Sequence, residues 1–295
     1  MEQFRNVGLM GRPGNASVVD TLEYLLHFLE GRGLKVIFDE DTASLMARPG
    51  LQVCSRSMLG EACDLVIVVG GDGSFLHAAR SLARFNKPVL GVNRGRLGFL
   101  TDISPDRIDD KVGAVLDGNY ATEQRFLLNM EVKSAGNPIG EGIALNDVVL
   151  HAGKSVHMIE FELYIEGQFV YRQRSDGLII ATPTGSTAYA LSGGGPIMHP
   201  RLDAMVLVPM HPHTLSSRPI VVDGNSEIKL LICNDDIPPL VSCDAQPGPV
   251  LREGDWVYVN KHPFKLRVIH PPGHDFYEAC RTKLGWSSHL TNPGE

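Results

Sequence analysis

Gly70-Gly71-Asp72-Gly73-Ser74 stands directly behind the apolar run Leu65-Val66-Ile67-Val68-Val69. Glycine at three of the first four positions lets the backbone turn sharply and approach a ligand with no Cβ in the way. Residues 75–84, which follow, have helical spacing. A strand, a glycine turn and a helix start together present backbone N–H groups and the positive end of a helix dipole, which favours phosphate. Gly70, Gly71, Gly73 and Ser74 are therefore the expected phosphate turn. Asp72 sits awkwardly there, because a bare carboxylate repels phosphate. It does chemistry, binds a metal or holds a sugar hydroxyl. Taken alone, the five residues fit equally well a tight βα turn with an incidental aspartate. His77 falls one helical turn beyond Gly73 and either meets a phosphate or packs as an ordinary helix residue.

Two further stretches carry polar groups in an apolar setting. Arg174-Ser175-Asp176-Gly177 leads into a strand-like run at 178–181 and then Thr182-Pro183-Thr184-Gly185-Ser186-Thr187-Ala188-Tyr189-Ala190-Leu191-Ser192. Clustered hydroxyls and free N–H groups at a helix start suit phosphate, ribose or an adenine edge, and equally form an ordinary cap and loop. Asn146-Asp147 interrupts the apolar run from Leu145 to Leu150, a local inconsistency of the kind functional sites show, or a strand end. His211-Pro212-His213 has no cysteine or carboxylate at a metal-ligand spacing and reads as a polar strand end. Asp235-Asp236 reads as a solvated turn.

The elements that must position these residues follow from periodicity. Strand signals at 4–10, 34–38, 65–69 and 88–92 alternate with helical spacing through Val18, Val19, Leu22, Leu25, Leu26 and Leu29. A helix is expected from Ser104-Pro105 to about Leu116, stopped by Gly118. Such alternation predicts a parallel, doubly wound, Rossmann-like sheet. Near residue 120 the period changes to two, clearest in Ile159, Phe161, Leu163 and Ile165. Strands are expected at 178–181, 204–208, 219–222 and 227–233, and as a last pair at 256–259 and 264–268 with a turn over Asn260-Lys261-His262-Pro263. The fold class is therefore α/β plus β. An α/β domain covers 1–119 and is rejoined by a helical tail within 272–295, and a mostly β domain covers 120–271.

Composition narrows the function classes. With 43% hydrophobic and 21% charged residues the 295-residue chain reads as soluble and globular. A net charge of -7 argues against nucleic-acid partners and basic membrane docking. No apolar stretch approaches the ~20 residues that span a bilayer, and the N-terminus lacks a signal-peptide layout. Five cysteines without a CxxC pair read as reduced thiols of a cytoplasmic protein.

Taken in order and spacing, Gly70-Gly71-Asp72-Gly73, Asn146-Asp147 and the block from Asp176 to Pro196 resemble the NAD kinase family. The resemblance extends to Asn93-Arg94-Gly95-Arg96-Leu97-Gly98-Phe99-Leu100 and to Pro212-His213-Thr214-Leu215-Ser216-Ser217-Arg218-Pro219. The glycine turn alone is shared with lipid kinases and phosphofructokinases; the 182–192 block discriminates. The resemblance implies phosphoryl transfer from ATP, with magnesium or manganese, to the 2′-hydroxyl of the adenosine ribose of NAD. It gives Asp72 the catalytic role. A carboxylate is too weak a base to deprotonate an alcohol in advance, so Asp72 is expected to align the hydroxyl and take its proton late. NAD contacts are implied for Asp72, Gly73, His77, Asn146, Asp147, His157, Arg174, Asp176, Thr187, Ala188, Tyr189, Ala190, Leu191, Ser192 and Gln246. Arg94, Arg96, Arg174 and His157 would offset nucleotide charge. No dedicated metal cage is expected, since phosphate oxygens hold the cation. A homodimer or homotetramer is implied, with neighbouring subunits completing the site.

Three departures from the family pattern stand out. Asp147 replaces the common glutamate, Ser74 the common threonine, and Ala245 the glycine of Asp-Gly-Gln in Asp244-Ala245-Gln246. The competing expectations are a lipid or sugar-phosphate kinase built on the same turn, and an NAD-binding sensor without turnover.

Overall fold

The computed structural model describes residues 3–12, 16–46, 48–94, 98–153, 158–234 and 238–286. The chain divides into two units, Met1–Gln124 with Leu266–Glu295, and Arg125–Lys265.

The first unit alternates β1 (Asn6–Gly11), α1 (Ala16–Gly31), β2 (Lys35–Asp39), α2 (Glu40–Leu45), β3 (Val53–Cys54), α3 (Arg56–Ala62), β4 (Leu65–Val69), α4 (Asp72–Leu82), β5 (Pro88–Val92) and α5 (Ile108–Leu116). Its strands pair in parallel in the order β5-β4-β1-β2-β3. That order reverses direction between β1 and β4, so the crevice at their carboxyl ends is the topological switch point where such sheets bind ligands. The glycine turn leaves β4 at this point. All five residues of β4 are buried, as a central parallel strand requires. Leu22, Leu25, Leu26 and Leu29 of α1 pack with Val7, Leu9, Leu65, Ile67 and Leu90 in one core. The expected helix after Ser104 begins instead with a 3-10 turn, Pro105–Arg107, before α5.

The second unit comprises most of β6 (Ala121–Ser134), β7 (Asn137–Ala144), β8 (Asp147–His151), β9 (Ile159–Ile165), β10 (Gln168–Ser175), β11 (Gly177–Ala181), α6 (Tyr189–Ser192), β12 (Ala204–Met210), β13 (Ile220–Asp223), β14 (Ile228–Ile232), β15 (Leu240–Cys243), β16 (Gln246–Val250) and most of β17 (Trp256–His270). One antiparallel sheet runs β13-β12-β11-β8-β15-β16. Strands β10, β9, β14 and β17 pair in that order, also antiparallel, and β6 forms a hairpin with β7. The alternation read in residues 159–165 is present: Ile159, Phe161 and Leu163 are buried, and Glu160 and Glu162 are half-buried.

Two features differ from the sequence reading. The turn expected over Asn260-Lys261-His262-Pro263 is absent, and β17 runs through it. None of these four residues takes a positive φ, so nothing reverses the chain, and proline fits extended backbone where no ladder donor is needed. The β6–β7 hairpin has no counterpart in the sequence reading. Its tip, Ala135-Gly136, holds positive φ at both residues (48° and 83°), a type I′ geometry usually marked by Asn-Gly. Near the end of β17, Arg267 and Val268 pair in parallel with Pro88 and Val89 of β5. The tail helix is α7 (Phe276–Leu284), grouped with the first unit.

Candidate active site

Gly70 follows β4 with φ 150° and donates its N–H to the Val92 carbonyl at 2.9 Å. A Cβ there would collide with the Ser74 hydroxyl, so glycine is required. Gly71 caps α4, and among the described residues no atom outside its chain neighbours lies within 4 Å of where a Cβ would stand; the nearest to one at Gly73 is Arg12 Nη1 at 4.0 Å. The turn is open to a ligand on that side.

Asp72, the first residue of α4, points its carboxylate into the loop that follows β5. Oδ2 accepts from the N–H of Phe99 at 3.0 Å, and Oδ1 from the N–H of Leu100 at 3.0 Å and the Thr101 hydroxyl at 3.4 Å. Lys283 Nζ donates to Oδ2 at 3.1 Å. Asn93 fixes the loop in turn, its Nδ2 donating to the Thr101 carbonyl and hydroxyl at 3.2 and 3.0 Å. Asp102, next in the chain, takes the Nδ1–H groups of His270 at 2.9 Å and His274 at 2.8 Å on one oxygen, under stacked imidazoles 3.6 Å apart. These three have metal-ligand types, but their separations are those of N–H···O bonds. Burial alone would raise the Asp102 pKa, and the two imidazoles overcome it, holding the acid down at about 2. Burial would likewise lower His270, yet Asp102 and the Glu123 charge, 3.7 Å from Nε2, raise it.

His77 is not presented to the turn as a free imidazole. The Arg56 guanidinium contacts Nε2, and Arg80 contacts Nδ1 at 3.2 Å. Burial, then the charges of Arg56 and Arg80, lowers its pKa.

In the second unit Asn146 and Asp147 sit where β8 begins. The Asp244 carboxylate gathers three N–H groups there, from Leu145 at 2.9 Å, Asn146 at 2.8 Å and Asp147 at 3.3 Å. The Asp147 side chain is 5% exposed, and burial followed by the Asp244 charge pushes its pKa up to about 7. The Thr182 block joins this pair. Thr182 donates its N–H to the Asn146 carbonyl at 2.9 Å and its hydroxyl to the Leu145 carbonyl at 2.6 Å. Gly185 packs so tightly on the Asn146 backbone that a Cβ has no room. Beyond it lie a 3-10 turn, Gly185–Thr187, and α6. Tyr189 and Ser192 are exposed and Thr187, Ala188 and Leu191 half-buried, whereas Ala190 packs in the core with Val149, Ile179 and Val206 and offers a ligand only backbone. Gln246 is exposed at the start of β16.

Arg174 and Asp176 lie elsewhere in this unit. Asp147 pairs with Ala181 and His151 with Gly177, so Asp176 stands past the far end of the β8–β11 pair, roughly 16–17 Å along it from Asp147. There Asp176 accepts from His211 Nδ1 at 2.8 Å. Arg174 lines an open groove of about 570 Å³ with Arg172, His213, Thr214, Ser217 and Arg218. His157, Arg96 and Asp235-Asp236 lie outside the described residues.

Sequence reasoning did not find Thr101, Lys283, the His270–Asp102–His274 cluster or the organising role of Asp244. Only Asp244 carried a signal, through its position beside Gln246.

A glycine turn at a sheet switch point, with a Ser/Thr-rich β unit, is the arrangement of a nucleotide-binding protein. Residues 7–120 match the ATP-NAD kinase N-terminal domain and residues 145–271 the ATP-NAD kinase C-terminal domain, so the chain belongs to the NAD kinase family. The NAD kinase of Pseudomonas putida is 63% identical over 98% of this chain and 98% of that protein. That of Acinetobacter baylyi is 63% identical over 97% and 93%. Among solved structures, yeast NADH kinase complexed with NADH aligns with a TM-score of 0.88 at 27% identity, covering 99% of this chain and 91% of that one. An Archaeoglobus fulgidus NAD kinase in complex with ATP shares the fold, with a TM-score of 0.72 at 24% identity over 95% and 97%.

Proposed function

We propose that the protein transfers the terminal phosphoryl group of ATP to the 2′-hydroxyl of the adenosine ribose of NAD, giving NADP. The observation that carries this is the glycine turn at the switch point in a chain that follows an NAD kinase over 98% of its length. A lipid acceptor has no such support, and among the described residues no helix is long and apolar enough to cross a membrane. The turn and the α4 N-terminus bind donor phosphates. Asp72 aligns the acceptor hydroxyl and receives its proton as the new P–O bond forms. Asn146 and Asp147 hold ribose hydroxyls and the adenine side of NAD; near neutral pH Asp147 is in part an uncharged acid that can donate a hydrogen bond. Thr187, Ala188, Tyr189, Leu191 and Ser192 line the dinucleotide.

A resident metal does not fit these carboxylates. Asp72 has four donors, Asp244 accepts from three N–H groups, and Asp147 keeps a proton to about pH 7. The divalent cation enters as part of the ATP substrate, on phosphate oxygens.

Arg174 and Asp176, at the far end of the strand pair, suit a role in the NAD site of a second copy, which supports a homodimer or homotetramer. Phe169, Val170 and Val221, exposed on the β unit, provide apolar area for such contacts. Five free cysteines support a reducing, cytoplasmic setting.

The test is purified protein with ATP, NAD and magnesium, reading NADP through a dehydrogenase that accepts only NADP. NADP formation is expected; tight NAD binding without NADP would make the protein a sensor. Asp72→Asn should keep NAD affinity while kcat falls about 10²–10⁴-fold. Loss of both together would assign Asp72 a structural role.

A further inference from the structure

The Asp72 carboxylate is saturated. A carboxylate offers about four lone-pair sites, so four donors leave none for an acceptor hydroxyl. Three of those donors come from one short loop: Phe99 N, Leu100 N and Thr101 Oγ1. The fourth, Lys283 Nζ, arrives from the last turn of α7, with its side chain 27% exposed.

The fold delivers that ammonium deliberately. Phe276 at the start of α7 packs on Phe99 with ring centroids 6.3 Å apart, and Lys283 Nζ lies 5.0 Å from the Phe99 ring centroid. His270 and His274, on the segment leading to α7, both clasp Asp102, the residue after the loop. A partly exposed Lys–Asp pair adds little stability, so folding alone does not account for a lysine on this carboxylate. The Phe99, Leu100 and Thr101 donors are fixed in their loop, whereas the lysine has a flexible four-carbon stem and a compact charge suited to phosphate. Among the described residues nothing crowds the turn beside it at Gly71.

We infer that Lys283 is an exchangeable cation of the phosphoryl-transfer site. In the free protein it holds Asp72 Oδ2; when ATP occupies the glycine turn, the ammonium moves to a donor phosphate oxygen and releases Oδ2 to the acceptor hydroxyl. Donor binding thereby switches on the aspartate. This rests on the kinase reading above.

The experiment compares wild type with Lys283→Met, which keeps the length and removes the charge, and with Lys283→Arg. Calorimetry with a non-hydrolysable ATP analogue should show affinity weakened roughly 10–100-fold in the Met variant and partly restored in the Arg variant. NAD affinity should stay within about twofold, kcat should fall with the KM for ATP rising, and the melting temperature should not change. ATP, but not NAD, should protect Lys283 from an amine-acylating reagent read by mass spectrometry. Unchanged analogue affinity in the Met variant, or no protection by ATP, overturns the inference. A lowered melting temperature with unchanged constants per folded molecule makes Lys283 a strut and overturns it too. Should wild type form no NADP, the kinase reading fails, and the calorimetric and labelling results still judge Lys283 as a phosphate ligand.

Discussion

Asp244 takes the backbone N–H of Asn146 at 2.8 Å across 98 residues of chain. The turn between β15 and β16 thus sets the conformation of the Asn-Asp pair, and its backbone is strained to do so. Asp244 and Ala245 hold φ of 48° and 61°, the two-residue type I′ geometry that favours Asp-Gly.

Ala245→Gly should therefore stabilise the protein. An alanine in the left-handed region costs about 1 kcal/mol, partly offset by the greater unfolded freedom of glycine. The expected gain is about 0.5 kcal/mol by denaturant unfolding, with NAD affinity unchanged. A loss of stability would show that the alanine methyl is needed.

The buried Asp147 makes stability fall with rising pH. Its pKa moves from 3.8 to about 7, so between those values the folded state keeps a proton that the unfolded chain has lost. Asp147→Asn, which mimics the protonated acid, should be more stable than wild type at pH 7.5, by at most about 4 kcal/mol. The wild type should bind NAD more weakly above about pH 7, and the Asn variant should not. Parallel pH profiles would refute this. Asp244→Asn should move the midpoint downward by removing the neighbouring charge.

The Asp102 cluster has two opposite pH limits. Asp102 is depressed from 3.8 to about 2, so its contribution is present above about pH 4 and lost as pH falls toward 2. That contribution is about 2 kcal/mol. His270 is raised above 6.5, so its contribution is complete below that value and lost as pH rises through the folded pKa. Unfolding free energy measured from pH 3 to 9 should show both declines, and His270→Gln should remove the alkaline one. A decline above about pH 8, beyond the range in which Asp147 loses its proton, that survives the substitution places its origin elsewhere.

The parts of this structure legible in the sequence are those written in local pattern. β4 is five buried apolar residues before glycines, and the first-unit order follows from alternation of helix and strand. Features of the candidate site were legible where chemistry and conformation coincide, as in Gly70, which needs its φ, and Asn146-Asp147, which breaks an apolar run. What pairs at long range was hidden. Lys283 meets Asp72 across 211 residues, and nothing around it in the sequence marks a partner. His270 and His274 are separated from Asp102 by 168 and 172 residues. β6 escaped because an Ala-Gly turn lacks the usual hairpin signal, and β17 because proline and asparagine imitate a turn in a strand that continues.

The second unit is an insertion within the first, which closes only with residues 266–295. On a ribosome the order of events is therefore fixed. At about 5–20 residues per second the β unit is finished about one to four seconds before Lys283 of α7 is added, with Arg267 and Val268 following the unit almost at once. The parallel sheet waits for its last strand, and Asp72 is made long before the lysine that neutralises it. A chain cut short after residue 265 would carry the whole glycine turn with an aspartate lacking its counter-charge. Such a nascent protein would be assembled in most of its parts and still lack the residue that answers the donor.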